Sequence, residues 1–442
     1  MISTQKSSFV VETFGCQMNV NDSEKVAGLL AADGYQPVAD ARDADLVFVN
    51  TCAVREKATE KLFHTLGRLR RLKERNPGLV VAVGGCVAQL QGRSILDRAP
   101  EVDVLVGTRN LARVPELVRD ARAGSPVRVD LDRSADAFAV PDALIAHGSE
   151  VRAYVTAVEG CNHVCSFCVV PRTRGPEVNR PPEAIVSEVA SLVGRGYPEV
   201  MLLGQTVNAY RSGDVDFAEL LGRVDAVAGL KRLRFTTSHP EHVTPRLGDA
   251  LRDLEKVCPY LHLPVQSGSD RVLASMRRGY DRRAYLETVS LLRERVPDLA
   301  LSSDVIVGYP GEKEEDFQDT LDLVAAVGFE GLFVFTYSPR PGTTAARLPD
   351  DVPAAEKLDR LKLLNDRQQR YQKLRNDSQV GRVEEVLVDS VEGESRLSGR
   401  TPHYRIVHID GTPELVGETV RVEIVRAGPN SLVGRIAAQP FR

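Results

Sequence analysis

The sequence predicts an α/β protein in three parts: a small doubly wound parallel sheet, then a partial (β/α)6 barrel, then a small OB-like β-barrel. Three observations predict it. Short β-rich runs alternate with helical patterns from residue 10 to residue 336. Polar and glycine-rich motifs stand directly after many of those runs, where parallel sheets bind ligands. From residue 379 onward the pattern changes to short β-rich runs separated by Gly and Asp, the mark of a small barrel.

In the first part, residues 10–14 (Val-Val-Glu-Thr-Phe), 46–50 (Leu-Val-Phe-Val-Asn), 79–83 (Leu-Val-Val-Ala-Val) and 102–106 read as strands. Helical patterns follow at 22–32, from about 54 to 75, and near 94–98. This sets one domain at 1–123. Residues 124–146 mix Gly, Ser, Pro and scattered charge and are expected to be a linker. A second series begins near 151, with strands near 152–158, 199–203, 232–236, 260–263, 300–306 and 331–336. Six such units make a partial barrel whose active face lies at the strand C-termini. Residues 356–377 are a basic amphipathic helical stretch, with seven Lys/Arg against four acids, and complete a central domain at 147–378. The last domain, 379–442, has β-rich runs at 386–388, 405–409, 420–425 and 431–436 and is expected to close as five strands.

The 442 residues suffice for two or three domains with real cores. The N-terminus lacks a basic segment followed by an apolar run, so no signal peptide is expected. No stretch approaches the roughly 20 apolar residues of a membrane span. The expected location is cytoplasmic, without membrane contact. Motif-spaced cysteines there bind metal more often than they form disulfides. A net charge of −4 argues against indiscriminate nucleic-acid binding but leaves room for a local basic track.

Six of the seven cysteines fall into two sets. Cys161-x-x-x-Cys165-x-x-Cys168 places three thiolates on one loop, after the first barrel strand. Cys16, Cys52 and Cys86 each follow a different strand of the first sheet, in Phe-Gly-Cys, Asn-Thr-Cys and Gly-Gly-Cys. Equivalent placement at strand ends would gather them despite their separation in sequence. Three thiolates hold three corners of a four-iron cluster and leave one iron open. Zinc is the rival for the tight triplet, but it needs a fourth ligand; none follows nearby, and His163 is poorly placed inside the loop. For the dispersed trio the rival is three unrelated buried cysteines. Phe167 is expected to shield the triplet or to pack in the core. Cys258 has no partner and reads as a buried strand thiol.

Cys161-Asn-His-Val-Cys165-Ser-Phe-Cys168 resembles the signature of radical S-adenosylmethionine (radical SAM) enzymes. Thr13-Phe-Gly-Cys16-Gln-Met-Asn19, Asn50-Thr-Cys52-Ala-Val-Arg55, Gly85-Cys86-Val-Ala-Gln89, Thr237-Ser-His-Pro240 and His262-Leu-Pro-Val-Gln-Ser-Gly-Ser269 narrow the resemblance. They are similar to the methylthiotransferases, and within them to the MiaB type that modifies tRNA. The chain departs from the usual family pattern at Thr206-Val207, at Arg172 before Thr-Arg-Gly, and at Glu177-Val-Asn-Arg180. None of these is a cluster cysteine.

The resemblance implies two 4Fe-4S clusters, held by Cys161, Cys165 and Cys168 and by Cys16, Cys52 and Cys86, and S-adenosyl-L-methionine as cofactor. One equivalent methylates a sulfur carried on the second cluster. The other is reductively cleaved to a 5′-deoxyadenosyl radical. The implied reaction puts a methylthio group on C2 of N6-isopentenyladenosine at position 37 of tRNA, next to the anticodon. Gly204, Gln205, Ser238, Gln266, Asp304 and Gly308, at strand ends, are the implied cofactor-binding residues; no catalytic residue beyond the cluster ligands is named. Flavodoxin or ferredoxin is the implied electron donor, and the enzyme is expected to be a monomer. The alternative is a RimO-type enzyme acting on an aspartate of a ribosomal protein, against which Gln17-Met18-Asn19 argues. The last domain resembles the TRAM module, an RNA-binding fold. From residue 380 on it carries eight Lys/Arg against nine Asp/Glu, so RNA binding would require Arg396, Arg400, Arg405 and Arg426 to gather on one face, a track the basic helix could extend. A solvated structural barrel is the rival for that domain.

Overall fold

A computed structural model describes residues 7–53, 56–393 and 395–437. Two compact units emerge. The first comprises Met1–Gly148, Val158–His163 and Cys168–Arg180; the second comprises Ser149–Ala157, Val164–Phe167 and Pro181–Arg442.

In the first unit the elements run β1 (Ser8–Phe14), α1 (Gln17–Ala32), β2 (Gln36–Pro37), β3 (Leu46–Thr51), α2 (Glu56–Arg75), β4 (Val80–Gly85), α3 (Cys86–Gln91), α4 (Ser94–Arg98), β5 (Val104–Val106), α5 (Val114–Arg122) and β6 (Arg128–Asp130). The strands form one parallel sheet in the order β2-β1-β3-β4-β5-β6. The period-2 alternation of side chains sends Val47, Val49, Val81 and Val83 to one face, where Leu62, Leu66 and Leu69 of α2 cover them. Leu46, Phe48, Val80 and Ala82 go to the other face, under Val26 and Leu30 of α1 and Val114 and Val118 of α5. Burial on both faces is what makes these strands read as continuous apolar runs.

Two differences from the sequence reading have local causes. The first helix starts at Gln17, five residues earlier than its apolar period suggests, because its first turn is polar and yet buried: Asn19, Asn21 and Asp22 are all inaccessible. Residues 128–130, expected in a linker, are the edge strand β6, too short for periodicity to reveal. Residues 54 and 55, where a helix was expected to begin, lie outside the described residues. After the sheet, β8 (Val158–Glu159) and β9 (Val178–Asn179) form a small hairpin with the short helix α6 (Val170–Thr173) between them; β7 (Arg152–Thr156) belongs to the second unit.

In the second unit, β7 continues into α7 (Pro182–Gly194), β10 (Glu199–Leu203), the hairpin β11 (Arg211–Ser212) and β12 (Val215–Asp216), α8 (Phe217–Asp225), β13 (Arg232–Phe235), α9 (Pro245–Asp253), β14 (Tyr260–His262), α10 (Asp270–Ser275), α11 (Arg282–Arg295), β15 (Ala300–Val307), α12 (Glu314–Val327), β16 (Gly331–Thr336) and α13 (Ala354–Asp377). The ladders β13-β10-β7 and β14-β15-β16 are both parallel. The Ser238 N–H donates to the His262 carbonyl at 3.0 Å and joins the halves. These are the six strands of the partial barrel.

The last strands, β17 (Val383–Val391), β18 (Arg396–Arg400), β19 (Ile406–Asp410), β20 (Thr419–Ala427) and β21 (Leu432–Ile436), close as a barrel in the order β17-β18-β19-β21-β20. Strand β18 is not among the β-rich runs: Arg-Leu-Ser-Gly-Arg has no β-branched or aromatic strand former. Gly399 is required there, since a Cβ would lie 2.4 Å from the Leu387 carbonyl oxygen.

This small barrel is fixed to the N-terminal end of the central one by charge. Arg152, Glu199 and Arg232 each open a barrel strand. Glu199 is fully buried and pairs with Arg152 and, at 2.8 Å, with Arg234. Burial works against its charged form, but Arg234 and Arg152 outweigh that and hold its carboxyl below the usual range. Arg234 then donates to the carbonyls of Thr401 and Pro402, both at 2.8 Å. Tyr404, at φ +69°, lies under Arg234, Arg400 and Arg152, at 4.8, 5.2 and 5.6 Å from its ring centre, and beside Tyr260 at 4.9 Å. Buried charges persist only when fully paired, and these are.

Candidate functional site

The dispersed cysteines come together at the C-terminal edge of the first sheet. Phe14 pairs with Thr51 and Thr51 with Gly85, so Cys52 and Cys86 leave neighbouring strands at the same level. The Cys52 N–H donates to the Phe14 carbonyl at 2.9 Å. Cys16 caps α1 and Cys86 begins α3. None of the cysteines is in a disulfide.

The residues beside the cysteines explain the motifs. The Cys16 N–H donates to Asn19 Oδ1 at 3.4 Å. Asn50 Nδ2 donates to the Asn19 carbonyl at 2.8 Å and to Ser23 Oγ at 2.9 Å. Gly15 and Gly85 leave room for these amides: a Cβ on either would come within 2.3 Å of Asn19 or Asn50 Oδ1. At φ +88°, Gly85 also needs the left-handed region. One buried amide network thus ties the loops of Cys16 and Cys52, and Gly85 lets the strand end before Cys86 pack closely against it.

The electrostatics favour a thiolate at Cys16. A hydrogen bond with Cys52, aided by Arg174 and the N–H groups of Asn19 and Met18, outweighs burial and lowers the Cys16 thiol to about 6. Burial pushes the Cys86 thiol up, and Arg174 opposes it. Arg174 itself is buried, hydrogen-bonded to both carboxylate oxygens of Asp22 on α1 and 3.3 Å from Glu159 on β8. Arg174, Asn19 and Asn50 were not singled out from the sequence. The available signal was their place inside the motifs themselves: Arg174 is the Arg of Thr173-Arg174-Gly175, six residues after Cys168. A donor set of converging thiols, one already ionised at neutral pH, with a buried cation alongside, fits an anionic iron–sulfur cluster.

The triplet Cys161, Cys165 and Cys168 divides between the units. Cys161 is buried and its N–H donates to the Gly175 carbonyl at 3.2 Å; Val169, next to Cys168, sits in the same core as Cys86. In the second unit, the buried Arg278 donates to Cys165 Sγ at 3.2 Å. Ser166 Oγ lies 2.8 Å from Tyr309 OH, and Phe167 packs against Val272, Met276, Tyr309 and Tyr337. Phe167 is thus part of an apolar cluster that holds the loop.

The other strand-end residues cluster at the C-terminal side of the barrel strands. The Gly204 N–H donates to Thr236 Oγ1 at 3.1 Å, and Gln205 follows it, half-buried. Ser238 Oγ is buried with no hydrogen-bond partner, an orphan acceptor suited to a bound ligand. Gln266 adopts φ +77°, and its N–H donates to the Asp304 carbonyl at 2.9 Å. Such strain in a bulky residue marks functional sites. At Gly308 the Lys357 side chain fills the space a Cβ would need. Cys258 is buried and its thiol raised by burial.

The four arginines of the small barrel have different surroundings. Arg400 pairs with Asp389 and lies over Tyr404; Arg405 donates to Glu330 at 2.8 Å. Both are engaged at the joint with the central barrel. Arg396 and Arg426 stay exposed on β18 and β20. In the basic helix, Lys357 and Arg360 are buried, Arg360 against Glu312 at 2.7 Å, so its first turns serve packing.

Three family models match the chain. Residues 8–107 match the model described as uncharacterized protein family UPF0004, residues 155–324 the radical SAM superfamily, and residues 377–437 the TRAM domain. A radical SAM methyltransferase of Kitasatospora setae, TsrM, has the same fold at a TM-score of 0.57 and 15% identity, over 77% of this chain and 75% of that one. Proteins named tRNA-2-methylthio-N(6)-dimethylallyladenosine synthase are far closer in sequence: 48% identical in Chromobacterium violaceum (96% of this chain, 97% of that one), 46% in Neisseria gonorrhoeae (96% and 98%) and 47% in Bordetella pertussis (97% and 97%). With identity of this order sustained over nearly the full length of both proteins, the chain belongs to the tRNA-2-methylthio-N(6)-dimethylallyladenosine synthase family, within the radical SAM superfamily.

Proposed function

We propose that the protein attaches a methylthio group to C2 of N6-isopentenyladenosine at position 37 of tRNA, consuming two equivalents of S-adenosylmethionine. The observation that carries this is the pair of three-thiol sets, one gathered by the first sheet and one carried on the loop after the first barrel strand. Cys16, Cys52 and Cys86 would hold one 4Fe-4S cluster and Cys161, Cys165 and Cys168 the other. When bound, the clusters and S-adenosylmethionine supply the radical and sulfur chemistry that a strong, weakly acidic C2–H bond requires and side chains cannot provide.

The chain's own residues position and shield. Asn19 and Asn50 fix the loops of the first thiol set, and Arg174 offsets its negative charge. Arg278 donates to Cys165 Sγ. Gly204, Gln205, Ser238, Gln266, Asp304 and Gly308 would line the cofactor site at the strand ends, with Ser238 Oγ ready to accept or donate. An anticodon loop is single-stranded, so its base is splayed toward the barrel at modest cost.

Among the described residues no helix is long and apolar enough to cross a membrane. We further infer a cytoplasmic monomer reduced by flavodoxin or ferredoxin. An aspartate of a ribosomal protein, the alternative substrate, has no comparable support, since the relatives above are named for tRNA. The test is nucleoside analysis of tRNA from cells lacking this protein. The methylthio derivative should vanish and isopentenyladenosine accumulate; unchanged methylthio content would contradict the assignment.

A further inference from the structure

The second half of the central barrel presents two open aromatic rings to its interior. Strand register sets His262 opposite Ser302, Asp304 opposite Phe333, and Ile306 opposite Phe335. Residues two apart share a face, so Tyr260, His262, Ser302, Asp304, Ile306, Phe333 and Phe335 form one surface. Contacts fix which surface it is. A Cβ on Gly331 would lie 3.6 Å from Ser302 Cβ, and Ser302 Oγ reaches Tyr260 OH at 2.6 Å and His262 Nδ1 at 2.9 Å. The alternate residues go to the helix side: Ser303 Oγ and Tyr285 OH of α11 share the Leu263 carbonyl.

On that inner surface Phe333 is 55% exposed and Phe335 is 42% exposed. A single exposed apolar residue needs no explanation, but two rings side by side on a concave face suggest a ligand. Their surroundings say which kind. Below them the barrel is closed by Tyr404 and its arginines, with Tyr260 against Tyr404. Above them, Ile306, the partner of Phe335, packs against the same apolar cluster of Val272, Met276, Tyr309 and Tyr337 that Phe167 of the cysteine loop does. The rings therefore stand between the floor of the barrel and the loop that carries Cys165. Beside them is polar company for a heterocycle: the His262 ring meets Phe333 edge-on at 6.0 Å, and His262 Nε2 lies 3.5 Å from Asp304 Oδ2. A concave aromatic wall with a few polar groups suits a flat nitrogen heterocycle better than the broad surface of a protein partner. Single-stranded bases are held by stacking on such rings.

We propose that Phe333 and Phe335 are the wall against which the adenine to be modified stacks, with its N6 alkenyl group lying on the same apolar surface. This rests on the tRNA reading above and adds the residues that receive the base. Because both side chains are exposed, their replacement leaves the core untouched.

The test uses the cluster-loaded enzyme and two labelled anticodon stem-loops, one with N6-isopentenyladenosine at the target position and one with adenosine. Wild type should bind the isopentenyl stem-loop more tightly. Phe333→Ala and Phe335→Ala should each weaken that binding about tenfold and narrow the preference between the stem-loops, with iron content unchanged. Phe335→Tyr, which keeps the ring, should restore it. A loss of threefold or more that the ring-keeping variant reverses supports the proposal. A loss below threefold in both alanine variants overturns it, as does a loss that tyrosine does not reverse. If the alanine variants keep RNA affinity but are reduced by dithionite and no longer by flavodoxin, the surface serves the electron donor and the proposal also fails. Wild-type enzyme that binds neither stem-loop would instead overturn the tRNA reading.

Discussion

The protein gathers three thiols twice, by opposite means. Cys161, Cys165 and Cys168 are neighbours in sequence, so a loop of eight residues brings them close at little entropic cost. Cys16, Cys52 and Cys86 are 36 and 34 residues apart, since 52 − 16 = 36 and 86 − 52 = 34. Only the register of β1, β3 and β4 puts them at one level. The second arrangement is held by residues drawn from several elements of the sheet: the Asn19–Asn50 amide network, two glycines that admit it, and the buried Arg174. A site held by topology fails when the fold around it loosens, whereas a site held by a local loop fails chiefly when a ligand is lost.

The largest effect is expected at the local loop. Cys161→Ala/Cys165→Ala/Cys168→Ala should abolish cleavage of S-adenosylmethionine while keeping about half of the iron of a two-cluster protein. Retained cleavage would show that the radical site lies elsewhere. Next in size is Arg174→Met. It leaves Asp22 buried without its partner, at a cost of about 3–5 kcal/mol. Thermal unfolding should fall, and iron should be lost preferentially from the first-sheet cysteines; an unchanged Tm with full iron would remove Arg174 from the account.

The smallest effect sharpens the comparison within the trio. In metal-free protein at pH 7, Cys16 should react with iodoacetamide faster than Cys86, because the first thiol is lowered to about 6 and burial raises the second. The rate at Cys16 should drop as pH falls through about 6. By linkage, its lowered pKa adds stability that is complete above the unfolded thiol value of ~8.5 and is lost as pH falls through about 6. Equal labelling of the two across that range, read by mass spectrometry, would contradict this electrostatic picture.

Much of this was legible in the sequence where local pattern decides. The six central strands and the cysteine triplet follow from periodicity and spacing. The strand-end position of Cys16, Cys52 and Cys86 follows from reading each turn against its strand. Less was legible where distant residues decide. Strands β6 and β18 are stabilised by their neighbours in the sheet and not by their own composition. Arg174 reads as an ordinary loop arginine until the fold places Asp22 beside it. Arg400 and Arg405 read as a basic track; the structure engages them with Asp389, Tyr404 and Glu330. Buried pairing between elements far apart in sequence leaves no periodic trace.

The most direct test of the central claim, that two independently built thiol sets do two different jobs, is the variant Cys16→Ala/Cys52→Ala/Cys86→Ala assayed with reductant, S-adenosylmethionine and isopentenyladenosine-containing tRNA. This variant should keep about half the iron, continue to form 5′-deoxyadenosine and yield no methylthio product. Methylthiolated tRNA from this variant would contradict the claim, as would loss of 5′-deoxyadenosine formation in a folded protein that keeps the cluster of Cys161, Cys165 and Cys168.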